Sequence, residues 1–381
     1  MEIKLVSHPI GEVDQSLIDK AVSFADEYLK DNAWKWEKDH VQPDDILRKA
    51  IKLFCPIAID KSEGGYGCSK ETYVRVLEEL AKADYGFTFA LAVHNHTAYG
   101  ISLSENAAVK EKYLSKLMNG EMIGAFLLTE AEAGSDASGI QTFAVKDGDT
   151  WTINGKKIWI TNAMSADLLL TYVQTSEGSR NKGICTFAIE ASQDGVSRGT
   201  QYDMVGAHAM VTGELIFDNV KVSDNMMVYP IGKGFSGALK VIDGARLCVA
   251  AMNNGAYLGC LEVALDYVKN RIQFGKPLVK NQSVEFNFAD RLTELEASRL
   301  LTFQAARCID EGGNTLLALA HCKKYSAITA YNGISYCMRA MGAKGLLRKE
   351  YPLVRQLTGV AISFNTDGTS DILNVVIGRQ L

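Results

Sequence analysis

The spacing of apolar residues changes period twice along this chain, and that double change limits its fold more than any other feature. From about residue 11 to 122, stretches such as QSLIDKAVSFADEYL, DDILRKAIKLF and KETYVRVLEELAKA repeat apolar residues every three to four positions, which predicts amphipathic helices. Near Met122 the pattern gives way to short β-branched and aromatic runs: TFAVK, WTINGKKIWIT, LLLTYVQT, GICTFAIE and GELIFDNVKV. Turn signals separate them, among them Asp147-Gly148-Asp149 and Asn154-Gly155, so a small antiparallel β unit is expected to about residue 228. Beyond Gly237 the helical period returns at 238–269, 285–309 and 315–343, with a terminal segment after Thr369. The fold class is therefore α+β: a helical unit at 1–122, a β unit at 123–228 and a helical unit at 229–381. A length of 381 residues exceeds what one hydrophobic core usually serves, and no low-complexity linker separates the units, so they are expected to pack together.

Charge narrows the partners. Forty basic residues against forty-five acidic ones leave a net −5, and no window gathers Lys and Arg into a phosphate-tracking stripe, so nucleic acid is not an expected partner. No uncharged apolar run approaches the roughly 18 residues that span a bilayer, and the opening MEIKLVSHPIGEVDQ lacks a secretion-signal pattern, so a cytoplasmic protein off the membrane is expected. The cysteines at 55, 68, 185, 248, 260, 308, 322 and 337 form no Cys-x-x-Cys pair and read as buried free thiols. His94 and His96, two positions apart on a predicted helix, point to different sides, so no metal is expected there.

Gly232-Lys233-Gly234-Phe235-Ser236-Gly237 satisfies GxGxxG. A dinucleotide site would need a following strand ending in an acidic residue about 20 positions on, but one long helical pattern follows instead. These glycines are expected to make the turn from β unit to helix.

Three stretches carry more specific information. Phe126-Leu127-Leu128-Thr129-Glu130-Ala131-Glu132-Ala133-Gly134-Ser135-Asp136, then Asn154-Gly155-Lys156-Lys157-Ile158-Trp159-Ile160-Thr161-Asn162, then Arg271-Ile272-Gln273-Phe274-Gly275-Lys276-Pro277-Leu278 with Gln282, resemble in order and spacing the signatures of acyl-CoA dehydrogenases. The resemblance implies FAD as cofactor and α,β-dehydrogenation of an acyl thioester. It implies that Thr161 bonds the flavin edge, that Phe126 and Thr129 contact the flavin, and that Trp159 shields the face away from substrate. Gly134 and Ser135 fall where the family meets pyrophosphate and substrate. Arg271, Gln273, Phe274 and Gln282 match positions that reach the FAD of a neighbouring subunit, which implies a homotetramer built as a dimer of dimers; Arg suits a diphosphate through its bidentate fork. Thr369 and Asp371 match cofactor-binding positions. Leu91, Val93 and His94 fall where the family closes its acyl pocket, and Asp243, Arg246 and Gly368 fall in its substrate site.

The sequence departs from the family pattern near its end. Counted from Tyr351-Pro352, the position of the family's catalytic Glu holds Asp367, within Thr366-Asp367-Gly368-Thr369-Ser370-Asp371, so Asp367 is the expected base. The alternative location before Arg246 holds Gly244-Ala245 and supplies no carboxylate. Where the family shows Gln-x-x-Gly-Gly facing the diphosphate, this chain has Arg339-Ala340-Met341-Gly342-Ala343, and Thr358-Gly359 replaces an expected Arg-Asp pair. Three functions follow from the resemblance: an acyl-CoA dehydrogenase passing electrons to an electron-transfer flavoprotein, a dehydrogenase of an acyl or aminoacyl group on an acyl-carrier protein, or a remodelled member with little dehydrogenase activity.

Overall fold

Residue 3 onward is described by the structure, a computed structural model covering residues 3–381; the first two positions of the expected N-terminal unit lie outside it. The first helices are α1 (Gln15–Phe24), continued by a π-helical turn, α2 (Ala33–Asp39), α3 (Asp44–Ala58), α4 (Lys70–Ala83), α5 (Tyr85–Ser102) and α6 (Ala107–Met118). Side-chain caps define several starts: Asp14, Ser69 and Asp84 accept from the backbone N–H groups of Leu17, Thr72 and Phe87. On α3 the predicted period places Leu47, Ala50, Ile51 and Phe54 on one buried face.

Eight strands follow: β1 (Gly124–Leu127), β2 (Phe143–Asp147), β3 (Thr150–Thr161), β4 (Leu168–Gln174), β5 (Ile184–Glu190), β6 (Val196–Gln201), β7 (Thr212–Ser223) and β8 (Met227–Tyr229). They form one sheet in the order β6-β7-β3-β2-β4-β5-β8, with β1 added beside β4. Most pairs are antiparallel as expected, but β1 and β2 both run parallel to β4, so the sheet is mixed. The segment joining β1 to the rest is long enough for such a crossover, which two-residue turns could not make. β4 explains how this unit joins the helices. Its alternation sends Leu168, Leu170 and Tyr172 into the helical core, and Leu169 and Val173 into a second core with Trp151, Ile153, Phe187 and Phe217.

The chain then re-enters helix as α7 (Gly234–Asn270), α8 (Gln282–Asp310), α9 (Thr315–Ala340), α10 (Leu353–Ile362) and α11 (Ser370–Gly378), with a small hairpin of β9 (Ile272–Gln273) and β10 (Lys276–Pro277) after α7. The GxGxxG stretch is the predicted turn. Gly232 takes a φ of 81°, α7 starts at Gly234 and runs 37 residues, and β8 before it pairs antiparallel with β5, so no parallel βαβ unit exists there. All eight cysteines are unpaired; Cys68 and Cys308 are half-buried rather than buried. No helix among the described residues is long and apolar enough to cross a membrane.

α7 packs against α4, α5, α8, α9 and α10. The α4–α7 crossing is backbone-close. A Cβ on Gly255 would lie 2.2 Å from the Glu78 carbonyl oxygen, and one on Gly259 would lie 2.7 Å from that of Lys82. Beside this crossing, Arg299 is buried, donates from Nε and Nη2 to Glu78 at 3.0 Å each, and reaches the Ser7 carbonyl at 2.6 Å. Gly255→Ala is therefore expected to lower the urea-unfolding midpoint, by about 1–3 kcal/mol of overpacking. Gly244→Ala on the same helix, where a Cβ meets nothing within 4 Å, is expected to raise the midpoint, by up to about 1 kcal/mol. Equal shifts in one direction for both variants would contradict the packing described.

Candidate active site

The first part of the site is built where β3 meets the loop after β1. Lys157, fully buried on β3, donates from Nζ to Glu130 Oε1 at 2.7 Å and to the Leu128 carbonyl at 2.9 Å. Glu130 also accepts from the backbone N–H groups of Gln141 at 2.5 Å and Thr142 at 2.9 Å. Burial pushes the Lys157 ammonium down to about 8, with Glu130 pulling it back up. Burial would raise the Glu130 carboxyl, but Lys157 and the surrounding donors leave it below its ordinary value. This lock folds the loop onto the strand, and the Ile158 N–H then donates to the Thr129 carbonyl at 3.0 Å.

The lock brings Thr129 beside the end of β3. A register shift between Lys157 and Ile160, with Trp159 at φ 58° and Asn162 at φ 64°, turns the Trp159 ring outward. That ring remains 57% exposed and rests on Tyr202, 4.4 Å between centroids. Thr161 is buried two residues on, and Asn162 donates to the carbonyls of Ala90 on α5 and Gly124 on β1. Phe126 packs against Tyr172 at 4.9 Å. Gly134 and Ser135 lie exposed on the loop, and a Cβ on Gly134 would meet nothing within 4 Å.

The second part centres on Asp367, between α10 and α11. Asp367 has φ 52° and Gly368 φ 93°, two consecutive left-handed residues, a conformation that Asp tolerates better than most side chains. Two cations clamp this turn through its main chain. Arg246 donates from Nε to the Asp367 carbonyl at 3.1 Å, and the buried Lys323 donates from Nζ to the Gly368 carbonyl at 2.7 Å. Arg246 also pairs with Asp243 at 2.9 Å. Burial pushes the Asp367 carboxyl above its ordinary value, while Lys323 and Arg246 pull it down. Burial pushes Lys323 down to about 8, with Asp367 opposing. Asp243 is likewise raised by burial and lowered by Arg246. The Tyr85 hydroxyl is buried without a hydrogen-bond partner, and its pKa is raised by burial and by the nearby Asp367.

The remaining candidates divide. Thr369 caps α11 by accepting from the Ile372 N–H at 3.2 Å, with Asp371 exposed in the first turn. Leu91 and His94 are buried on α5, and His94 is fully engaged: Nδ1 accepts from the Gly124 N–H and Nε2 faces the Leu117 carbonyl. His96 turns instead toward Cys248, 3.4 Å away. Arg271, Gln273 and Phe274 lie exposed at the hairpin past α7, Phe274 at 97%, and Gln282 lies exposed at the start of α8. Twenty-five residues of chain separate Arg246 from Arg271, about 37 Å along a helix. Arg339 and Gly342 are exposed at the end of α9, with Gly342 at φ 59°.

Comparison with known proteins decides the family. Residues 11–121, 125–220 and 232–381 match the N-terminal, middle and C-terminal domains of acyl-CoA dehydrogenase. The chain belongs to the acyl-CoA dehydrogenase family. It is thus an oxidoreductase of the flavoprotein class acting on CH–CH groups. Over 378 residues it is 34% identical to the short-chain-specific acyl-CoA dehydrogenase of Megasphaera elsdenii, covering 98% of each chain. It is 34% identical over 341 residues to the CarC subunit of the caffeyl-CoA reductase–Etf complex of Acetobacterium woodii, covering 89% of this chain and 90% of that one. Butyryl-CoA dehydrogenase from Megasphaera elsdenii superposes with a TM-score of 0.93 at 33% identity, over 100% of this chain and 99% of that one. PigA with FAD and proline superposes at 0.93 with 26% identity, over 98% of this chain and 99% of that one.

Sequence reasoning quoted Glu130 and Lys157 without giving them a role, and it missed Lys323 and Tyr85 altogether. A charged pair inside two adjacent signature stretches was a usable signal for the first. Glu130→Gln leaves Lys157 buried opposite a neutral group and is expected to destabilise the enzyme by about 3–5 kcal/mol. Glu130→Gln combined with Lys157→Met is expected to recover most of that loss in urea unfolding; no recovery would show that the pair is not what holds the loop.

Proposed function

We propose that this enzyme uses FAD to dehydrogenate an acyl thioester between its α and β carbons, with Asp367 as the base that removes the α-proton. The observation that carries the reading is the Asp367 turn: a carboxyl with no hydrogen-bonding side chain among the described residues, flanked by two cations that grip the backbone on which it is mounted.

The residues present fit the cofactor. Trp159 offers an exposed ring two residues before Thr161, the Ile158 N–H ties this strand end to Thr129, and the space around Gly134 leaves its backbone approachable, as a dinucleotide requires. Phe126, Thr129, Gly134, Ser135, Trp159, Thr161, Thr369 and Asp371 are proposed to hold FAD from its own chain. Arg339 and Gly342, with the distant Arg271, Gln273, Phe274 and Gln282, are proposed to meet the diphosphate and adenine portion across a subunit contact in a homotetramer. Their separation from Arg246 along α7 supports that division, because one small cofactor site could not collect both ends of this helix. When bound, FAD supplies an acceptor for the β-hydrogen.

The chain's own residues account for the rest. Asp367 abstracts a proton as a carboxylate, and its raised pKa makes it a stronger base than a free Asp. Arg246 and Lys323 fix the turn, so the carboxylate does not swing through its own rotation alone; placement to within about 1 Å matters on the order of a hundredfold in rate. Asp243 holds Arg246. Leu91 is proposed to limit the acyl pocket beside the substrate positions Asp243, Arg246, Ser135 and Gly368, and the buried ring of His94 backs it. The identity to CoA-thioester enzymes along nearly the full chain favours an acyl-CoA substrate and an electron-transfer flavoprotein as acceptor. The departure from the family's Glu at Asp367 keeps a carrier-bound acyl or aminoacyl group as the second reading.

Anaerobic mixing of the yellow protein with butyryl-CoA, isobutyryl-CoA or acyl-carrier-protein thioesters is expected to bleach the flavin with a short or branched acyl-CoA. Bleaching by carrier-protein thioesters alone selects the second reading, and bleaching by none sinks both. Asp367→Asn is expected to retain FAD and slow bleaching by about 10²–10⁴-fold. A variant that bleaches at the parental rate removes Asp367 from the mechanism.

Lys323→Met tests the electrostatics. Loss of the cation takes away a downward pull on the Asp367 pKa, so the carboxylate forms only at higher pH. The rising limb of the bleaching rate against pH is expected to move to higher pH, and a limb that stays in place would show that Lys323 serves only to hold the Gly368 carbonyl.

A further inference from the structure

Away from these groups, at the joint between α2 and the loop from Tyr202 to Val211, two histidines and two carboxylates converge. His40 follows α2 in the left-handed conformation, φ 53°, which turns its ring back over the loop. Its ring lies on that of His208, centroids 3.6 Å apart and planes within 12°. His40 Nδ1 is 3.5 Å from Asp203 Oδ1, and the same oxygen is 3.8 Å from His208 Nε2. One ligand atom from each of His40, Asp203 and His208 can be chosen so that all lie within 4.8 Å of one another.

The hydrogen-bond arithmetic of His208 leaves room for a cation. Its Nδ1 is buried with no aligned partner, 3.2 Å from Glu37 Oε1, and Glu37 is held there by accepting from the His208 backbone N–H at 3.0 Å. Its Nε2 faces the Met204 carbonyl at 2.9 Å and Asp203 beyond. Both ring nitrogens thus face acceptors, whereas a neutral imidazole has only one N–H to give. A second proton would satisfy both. A metal ion at Nε2 satisfies both as well, with Nδ1–H directed at Glu37 in the carboxylate–histidine–metal arrangement that orients such ligands.

We propose that His40, Asp203 and His208 form a binding site for one divalent transition-metal ion of the zinc type, with Glu37 as the outer carboxylate. Two imidazoles and one carboxylate suit such ions rather than Mg²⁺ or Ca²⁺, which take all-oxygen sets. Bonds of about 2.1 Å place neighbouring ligand atoms roughly 3–3.5 Å apart, and because imidazole binds in its ring plane the His40 ring must also turn out of its stack on His208 to complete the site. Asp203 is 87% exposed and His40 41%, so both have room to make that movement and water can fill the open positions. The ion would pin the N-terminal helical unit to a loop that also touches the candidate active site. Tyr202, at one end of that loop, carries the Trp159 ring, and the Met210 carbonyl, near the other, accepts from the Asn162 N–H at 3.1 Å.

The test uses the full-length flavin-loaded protein, stripped with a chelator and titrated calorimetrically with ZnCl₂ and separately with MgCl₂. One saturable Zn²⁺ per chain, no Mg²⁺ binding, and a rise in melting temperature with Zn²⁺ are expected. His40→Ala, which removes a half-exposed side chain, and His208→Gln should each weaken Zn²⁺ binding at least tenfold, while His321→Ala, on an exposed face of α9, leaves it unchanged. Absence of saturable Zn²⁺ binding to the parent protein, or binding that His40→Ala leaves intact, overturns the proposal.

Discussion

Burial of α7 is the constraint from which most of this structure follows. A helix of 37 residues surrounded by α4, α5, α8, α9 and α10 cannot keep a polar face, so its interior stretch is apolar or small nearly all round. Where α4 crosses it the backbones approach so closely that only Gly255 and Gly259 fit. Most of the polar groups it buries are answered: Asn253 Nδ2 donates to Ser326, Asn254 bonds Thr302, and the Tyr257 hydroxyl donates to the Arg291 carbonyl, while Asn253 Oδ1 is left without a partner. The same helix sets the geometry of the proposed chemistry. Its first third carries Asp243 and Arg246 beneath Asp367, and its far end delivers Arg271 to an exposed hairpin. A straight rod of that length cannot serve one cofactor from both ends, which is the physical content of the proposed subunit-shared site.

Local signals were enough to read the plan of the fold. The change of hydrophobic period near Met122 and again near Gly237 is a property of neighbouring residues, and the elements change over between Met118 and Gly124 and between Tyr229 and Gly234. The parallel placement of β1 and β2 beside β4 was not legible, because strand partners are chosen by tertiary packing. The candidate site was legible only in part for a related reason. Trp159 and Thr161 lie on one strand and could be read together, but the Lys157–Glu130 lock that brings Thr129 to them spans 27 residues, and Lys323 reaches the Asp367 turn from 45 residues away. A buried lysine in an otherwise ordinary helix leaves no periodic trace. His94 shows the opposite limit: its position was identified through resemblance, while its two ring nitrogens proved to be engaged with the backbone of β1 and α6.

The departures from the family pattern near the C-terminus become coherent once placed in space. Gly359 stands where a larger residue was expected, and a Cβ there would press on the Tyr85 ring at 3.0–3.1 Å. Thr358 turns inward to bond the carbonyls of Val354 and Arg355, and its side chain abuts Gly206 of the loop that carries Tyr202. The missing ion pair is replaced by another on the same helix: Arg355 donates to Asp84 at 2.8 Å and to the Ala83 carbonyl. That pair fixes the junction of α4 and α5 and so fixes Tyr85, the next residue.

Tyr85 in turn helps explain how an Asp can stand where the family uses Glu. Loss of one methylene draws a carboxylate back toward its own backbone and leaves space that water would otherwise enter. The Tyr85 ring, buried against Gly359 with its hydroxyl unpartnered and close enough for Asp367 to raise its pKa, fills part of the surroundings from the α5 side. The left-handed backbone of Asp367 and Gly368, held by Arg246 and Lys323 through two carbonyls, then determines where the shorter side chain projects. A flexible turn would let a shortened base drift; a turn clamped at consecutive carbonyls converts the lost methylene into a fixed displacement. In this reading the substitution sets where the α-carbon of the substrate must lie, and so bears on substrate choice as much as on rate.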